Sequence, residues 1–123
     1  MSEKYIGVYK NNTEKYGGKA YRVAIKTYKD GKAHYQNHDS FDHEGTAAWV
    51  YNVHALCTFG PNAVINNLEI EPHEEREFDT YVVLNDEFYK LFLKAEKIIN
   101  NTRQLRFHVS ERLDQDSKEP TDQ

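Results

Sequence analysis

The sequence predicts an α+β fold: a three-stranded antiparallel sheet packed on one helix and extended by a C-terminal strand/helix segment. Three observations predict it. Residues Ala20 to Tyr28 alternate with period two and run into an Asp30-Gly31 turn; Asp42 to Gly60 has helical spacing between a capping residue and a stop; Asp86 to Asn100 carries a second helical stripe.

Taken in order, Tyr5 to Lys10 reads as a short strand rich in β-branched and aromatic residues. Asn11 to Lys19, with Gly17-Gly18, reads as a flexible connection. In the second strand Tyr21, Val23 and Ile25 share one face and Arg22, Ala24 and Lys26 the other, which predicts a core set and a solvent set. Lys29-Asp30-Gly31-Lys32 is a hairpin signal, because Asp-Gly tolerates the positive φ angles of a tight turn. A third strand follows from about Ala33 to Ser40, in which Gln36 or His38 faces inward unless a bulge shifts the register.

Asp42 is the expected N-cap of a helix from about His43 to Phe59, with Gly60 and Pro61 stopping it. Ala47, Ala48, Tyr51 and Ala55 form one apolar stripe, while Trp49, Val53, Leu56 and Cys57 form a second round the side. A helix apolar on most of its circumference needs cover on more than one face, and the sheet supplies only one. The helix from Asp86 to Asn100, or a second copy of the chain in a homodimer, is the expected second cover. Burying Trp49 and Val53 is worth on the order of 3–5 kcal/mol.

Glu69 to Glu77 is acidic, contains Pro72 and reads as a connector; Thr80 to Leu84 reads as a strand or extended segment. Asn85-Asp86 can cap the following helix, whose stripe is Phe88, Leu91, Phe92, Ala95 and Ile99. Leu105, Phe107 and Val109 suggest a short closing strand, and residues 114–123 a polar, disordered tail. The expected division is therefore 1–67 as one unit, 68–113 as an α/β extension packing on the first helix or a second subunit, and 114–123 as tail.

The formal charge of −4 conceals a polarity along the chain. Residues 1–34 hold eight basic and three acidic side chains, a balance of +5, whereas residues 67–123 hold eight and fourteen, a balance of −6. A basic first third attracts phosphate, and an acidic remainder opposes indiscriminate binding or offers a surface to a basic protein partner. Cys57 is the single cysteine, so an internal disulfide is excluded. With no apolar signal core at the start and no membrane-length apolar run, the sequence reads as a cytoplasmic protein without membrane contact.

Several stretches carry a further pattern. Tyr5-Ile6-Gly7-Val8, Tyr21 to Lys26, Phe41-Asp42 with Ala47-Ala48-Trp49-Val50-Tyr51-Asn52, and Gly60-Pro61-Asn62-Ala63-Val64-Ile65-Asn66 resemble the ethylene-response-factor (Apetala-two) DNA-binding domain, in its bacterial or phage form. The resemblance covers about residues 5–66 and is nearly gapless from Phe41 onward. It implies a regulator whose sheet, not its helix, enters the major groove of double-stranded DNA, a groove about 12 Å wide. Carried over to this chain, the implied contacts are Tyr9, Lys10, Lys15, Tyr16, Lys19, Arg22, Lys26, Lys32, Tyr35 and Asn37. Ile6, Tyr9 and Asn11 stand where arginines are usual in that family, and Lys26 offers a point charge rather than a guanine-reading fork. The alternative is a protein-interaction module, such as a phage-encoded inhibitor of a host nucleic-acid enzyme, with the DNA face retired.

Other polar residues read as structure. On a strand His34 and His38 lie about 13 Å apart, too far for one metal ion, and Asp39, Asp42 and His43 add no ordered ligand pattern. His54 reads as a packed or partly exposed histidine on the helix, Cys57 has no base beside it, and Glu74-Glu75 and Glu77 read as solvated linker. No catalytic residue, cofactor or metal is expected.

Overall fold

Residues 4–102 are described by a computed structural model. Their order is β1 (Val8–Lys10), α1 (Thr13–Tyr16), β2 (Tyr21–Lys29), β3 (Lys32–Phe41), α2 (Glu44–Phe59), a 3-10 turn (Gly60–Asn62), α3 (Pro72–Leu84) and α4 (Asp86–Thr102). The expected α+β class and the three-stranded antiparallel sheet, in the order β1-β2-β3, are present. The suggested strand at Leu105 to Val109 and the 114–123 tail lie outside the described residues. Among those described, no helix is long and apolar enough to cross a membrane.

The hairpin register follows from the turn. Lys29 pairs with Lys32 and Ile25 with Gln36, while Asp30 and Gly31 take positive φ angles of 54° and 77°. Further along, Arg22 pairs with Ser40 and Ala24 with Asn37, so Val23 alone faces both His38 and Asp39. This is a β-bulge, and it turns both residues toward the helices. The first strand is shorter than its composition suggested. Gly7 has φ +78°, and a Cβ there would overlap the Tyr51 ring, so Tyr5 to Gly7 form a turn and pairing begins at Val8.

Helix α2 is buried at every position from Gly45 to Leu56. Its cover differs from the sequence expectation in one respect: the second apolar stripe meets two helices rather than one. Trp49 is 3% exposed and packs edge-on against Phe78 of α3 with ring centroids 5.2 Å apart, while the Cys57 thiol donates to the Leu91 carbonyl of α4 at 3.3 Å. Val53, Phe78, Val82, Phe88, Phe92, Ala95 and Ile99 all join the same buried cluster as the sheet residues Val8, Val23 and Ile25.

The segment expected as an acidic connector and a strand is the single helix α3. Pro72 sits in its first turn, where the missing N–H costs nothing, and Glu71 and Glu74 form a reciprocal capping box. Val82 and Phe78, four residues apart, then fall on one buried face, which outweighs the β preference of Thr80 to Val83. Asn85 breaks the chain between helices and accepts from the Phe88 amide at 3.0 Å, capping α4.

The carboxylates of α3 have a structural task. Helix α2 starts at Glu44, and no side-chain cap comes from His43 or from Asp42. Instead Glu77 accepts from the Asp42 and His43 amides at 2.6 and 3.1 Å, and Glu74 accepts from the Gly45 amide at 2.9 Å. Two anions from a neighbouring helix thus satisfy the orphan amides and the positive end of the α2 dipole. Gly45 permits this approach, since a Cβ there would lie 2.5 Å from the Glu74 carboxylate.

A second polar hub closes the fold. The Asn52 side chain accepts from the Asn66 amide at 2.7 Å and donates to the Asn66 carbonyl at 2.8 Å, and the Asn66 side chain accepts from the Ile6 amide at 2.8 Å and donates to the Ile6 carbonyl at 3.0 Å. This ties the chain leaving α2 to the turn that enters β1. Asn66→Ala is expected to lower unfolding free energy by about 2–3 kcal/mol in urea titration, because it removes both side-chain bonds that hold the Ile6 amide and carbonyl. Exposed Asn67→Ala should change it by less than about 0.5 kcal/mol.

Candidate nucleic-acid interface

Period two along β2 sends Arg22, Ala24, Lys26 and Tyr28 to the side of the sheet away from α2, and the register sets Ala33, Tyr35 and Asn37 of β3 beside them. Tyr9 of β1 lies opposite Arg22. These residues form one connected surface. The Arg22 guanidinium lies 5.1 Å from the Tyr9 ring centroid, Tyr9 meets Tyr35 edge-on at 6.4 Å, and the Lys26 ammonium lies 5.2 Å from the Tyr28 centroid and 5.8 Å from that of Tyr35. Cations over tyrosine faces are attracted by the ring quadrupole.

Arg22 is held in place from both sides. It donates to the Asn11 side-chain oxygen at 3.2 Å and to that of Asn37 at 3.4 Å. Asn11 in turn donates to the Lys19 carbonyl at 2.8 Å and the Ser40 hydroxyl at 3.1 Å, fixing the β1–β2 connection beside the guanidinium. Lys26 is exposed; Tyr28 first, and Tyr35 second, raise its pKa above the ordinary lysine value. A tyrosine oxygen favours the charged amine, so this face keeps its positive charge.

Of the ten residues expected to contact DNA, Tyr9, Arg22, Lys26, Tyr35 and Asn37 converge on this face. Lys10 alternates to the other side of β1 from Tyr9, yet it lines a recess of about 460 Å³ with Lys19 and Arg22. Lys32 lies at the hairpin tip, opposite Lys29. Lys15 sits in α1 and Lys19 in the connection to β2, both exposed beside the face. Tyr16 ends α1, and its side chain is outside the description. One member was missed: Tyr28 is 69% exposed, and its parity with Arg22 and Lys26 was the available signal. Ala24, expected in solvent on this face, is 3% exposed at the base of the side chains around it.

The bulge forms a separate polar junction on the other side. His38 stacks on His54 of α2 with ring centroids 3.7 Å apart and planes 8° from parallel, and Asp39 lies beside Tyr81 of α3. Burial, and then the neighbouring His38, push His54 down to about 4; burial alone lowers His38, while burial and then Asp39 push Tyr81 up to about 12. Among the described residues no three His, Cys, Asp or Glu side chains are grouped to hold a metal ion. Burial also raises the Cys57 thiol, which disfavours the nucleophilic thiolate.

The chain matches no protein-family model, no curated protein and no solved structure.

The histidine pair sets a pH dependence of stability. The folded pKa of His54 lies below its unfolded value, so the unfolded chain binds the proton first as pH falls. Stability should be full above about pH 6.5 and decline toward pH 4, by about 3 kcal/mol for His54 alone. Chemical denaturation across that range should show the loss, and His54→Phe, which keeps a ring against His38, should flatten it.

Proposed function

We propose that this is a small cytoplasmic DNA-binding protein, a regulator of the bacterial or phage kind, that lays the outer face of its three-stranded sheet into the major groove. The observation that carries the reading is the cationic, aromatic outer face: Arg22 and Lys26 are presented among Tyr9, Tyr28, Tyr35 and Asn37. Among the described residues, the partners of these two cations are amides and tyrosine rings rather than carboxylates, so their charge is available to phosphate. Lys15 and Lys19 extend the positive field beside it. The resemblance of residues 5–66 to the ethylene-response-factor domain supports the same side of the same sheet.

The acidic balance of the C-terminal half favours a second reading, a protein-interaction module. Val83 and Leu84 are 58% and 78% exposed at the end of α3, next to a groove of about 470 Å³ lined by Arg76, Glu77 and Tyr81. A basic, partly apolar partner suits that surface, and either reading is compatible with a homodimer.

Fluorescence anisotropy with labelled mixed-sequence duplex DNA separates the readings. Under the first, binding weakens steeply with salt, with a log–log slope of about −3 if Lys19, Arg22 and Lys26 each neutralise one phosphate. Charge reversal at these three residues should abolish binding while leaving the fold intact. Absence of binding at low salt would retire the DNA reading and favour the second.

A further inference from the structure

The outer face is not flat. Ala24 is the floor of a notch of about 460 Å³, walled by Tyr9, Tyr35, Ile6 and Tyr51, with Lys26 at its rim. Its origin is traceable to the chain. Gly7, at φ +78°, lets the Tyr51 ring of α2 press against its backbone, and β1 pairs with β2 only from Val8 onward. The Gly7 carbonyl still accepts from the Ala24 amide at 3.0 Å, so these two backbone groups at the floor are paired. What remains is an aromatic and aliphatic recess over a methyl side chain, set among the cations that draw the phosphate backbone.

We propose that this notch is a subsite for a single unstacked nucleobase, so that the protein prefers DNA containing an unpaired nucleotide to fully paired DNA. The proposal rests on the reading that the outer face binds DNA. A recess of this size is far wider than a thymine methyl needs, and its walls are largely aromatic and aliphatic. Tyr35 is 54% exposed and offers a ring to stack on; Lys26 and Arg22 flank the recess on the same face, where a strand carrying the inserted base would place phosphates. Stacking on a tyrosine accepts any base, whereas pulling a paired base from its duplex costs more than one stack returns. An already unpaired nucleotide avoids that cost.

The test compares two labelled duplexes of the same sequence, one carrying a single unpaired adenine, by anisotropy with the full chain at fixed salt. The unpaired nucleotide should tighten binding about 5- to 150-fold, the equivalent of one base–aromatic stack. Ala24→Leu, which fills the notch and keeps every charge, should remove that preference and bring the affinities for the two duplexes together. Should Ala24→Leu fail to fold, Tyr35→Ala at an exposed position should reduce the preference in the same way. Equal affinity for the two duplexes, or a preference that survives filling the notch, would overturn the subsite while the outer-face reading stands. Binding to neither duplex at low salt would overturn both.

Discussion

Helix α2 is buried along twelve consecutive residues, Gly45 to Leu56, and a helix so placed has no solvent face of its own. Everything else in the described chain is arranged to cover it. The sheet takes the alanine stripe, where small side chains allow close approach, and α3 and α4 take the stripe of Trp49, Val53 and Cys57. Because one hydrophobic cluster runs from Val8 through α2 to Ile99, the sheet and the C-terminal helices stabilise one another through the helix they share.

That arrangement also meets a difficulty that burial creates. The N-terminus of a covered helix presents amides with no partner inside the helix, and a local Ser or Asp cap is the usual remedy. Here Glu74 and Glu77 reach across from α3, so the same helix supplies apolar cover through Phe78 and Val82 and polar cover through its carboxylates. From the middle of α2 the Asn52 side chain holds the Asn66 backbone, and the Asn66 side chain holds the Ile6 turn. The turn at Gly7 that begins the first strand is thereby fixed to the core, and the shape of the sheet's outer face follows from it.

With all cover on one side, the other side of the sheet is left to water. The bulge at His38–Asp39 sharpens the division: it turns an imidazole and a carboxylate inward to His54 and Tyr81, and leaves Asn37 and Ser40 outward beside Arg22 and Asn11. Charge is divided the same way. The cationic first third supplies the outer face, while the acidic residues of α3 are spent partly on capping.

Period two in β2, the Asp30-Gly31 turn and the Gly60 stop are local signals, and local sterics decide them; the α+β class, the hairpin and the length of α2 were legible from sequence for that reason. The second apolar stripe on α2 also announced that a further cover existed. Half of the candidate face was legible too, since alternation alone assigns Arg22 and Lys26 to one side. Other features were decided by partners distant in sequence. Thr80 to Leu84 has β-forming residues, yet it is helical because Phe78 and Val82 reach the core only with helical spacing. Glu74 and Glu77 look like solvated linker until α2 presents its amides to them. Lys32 leaves the outer face because pairing register, not composition, assigns the side. Ala24 becomes the floor of a notch because Gly7, Tyr51 and Tyr35 meet around it. Sequence determines what each segment prefers alone; tertiary structure decides wherever burial or an unmet hydrogen bond outweighs that preference.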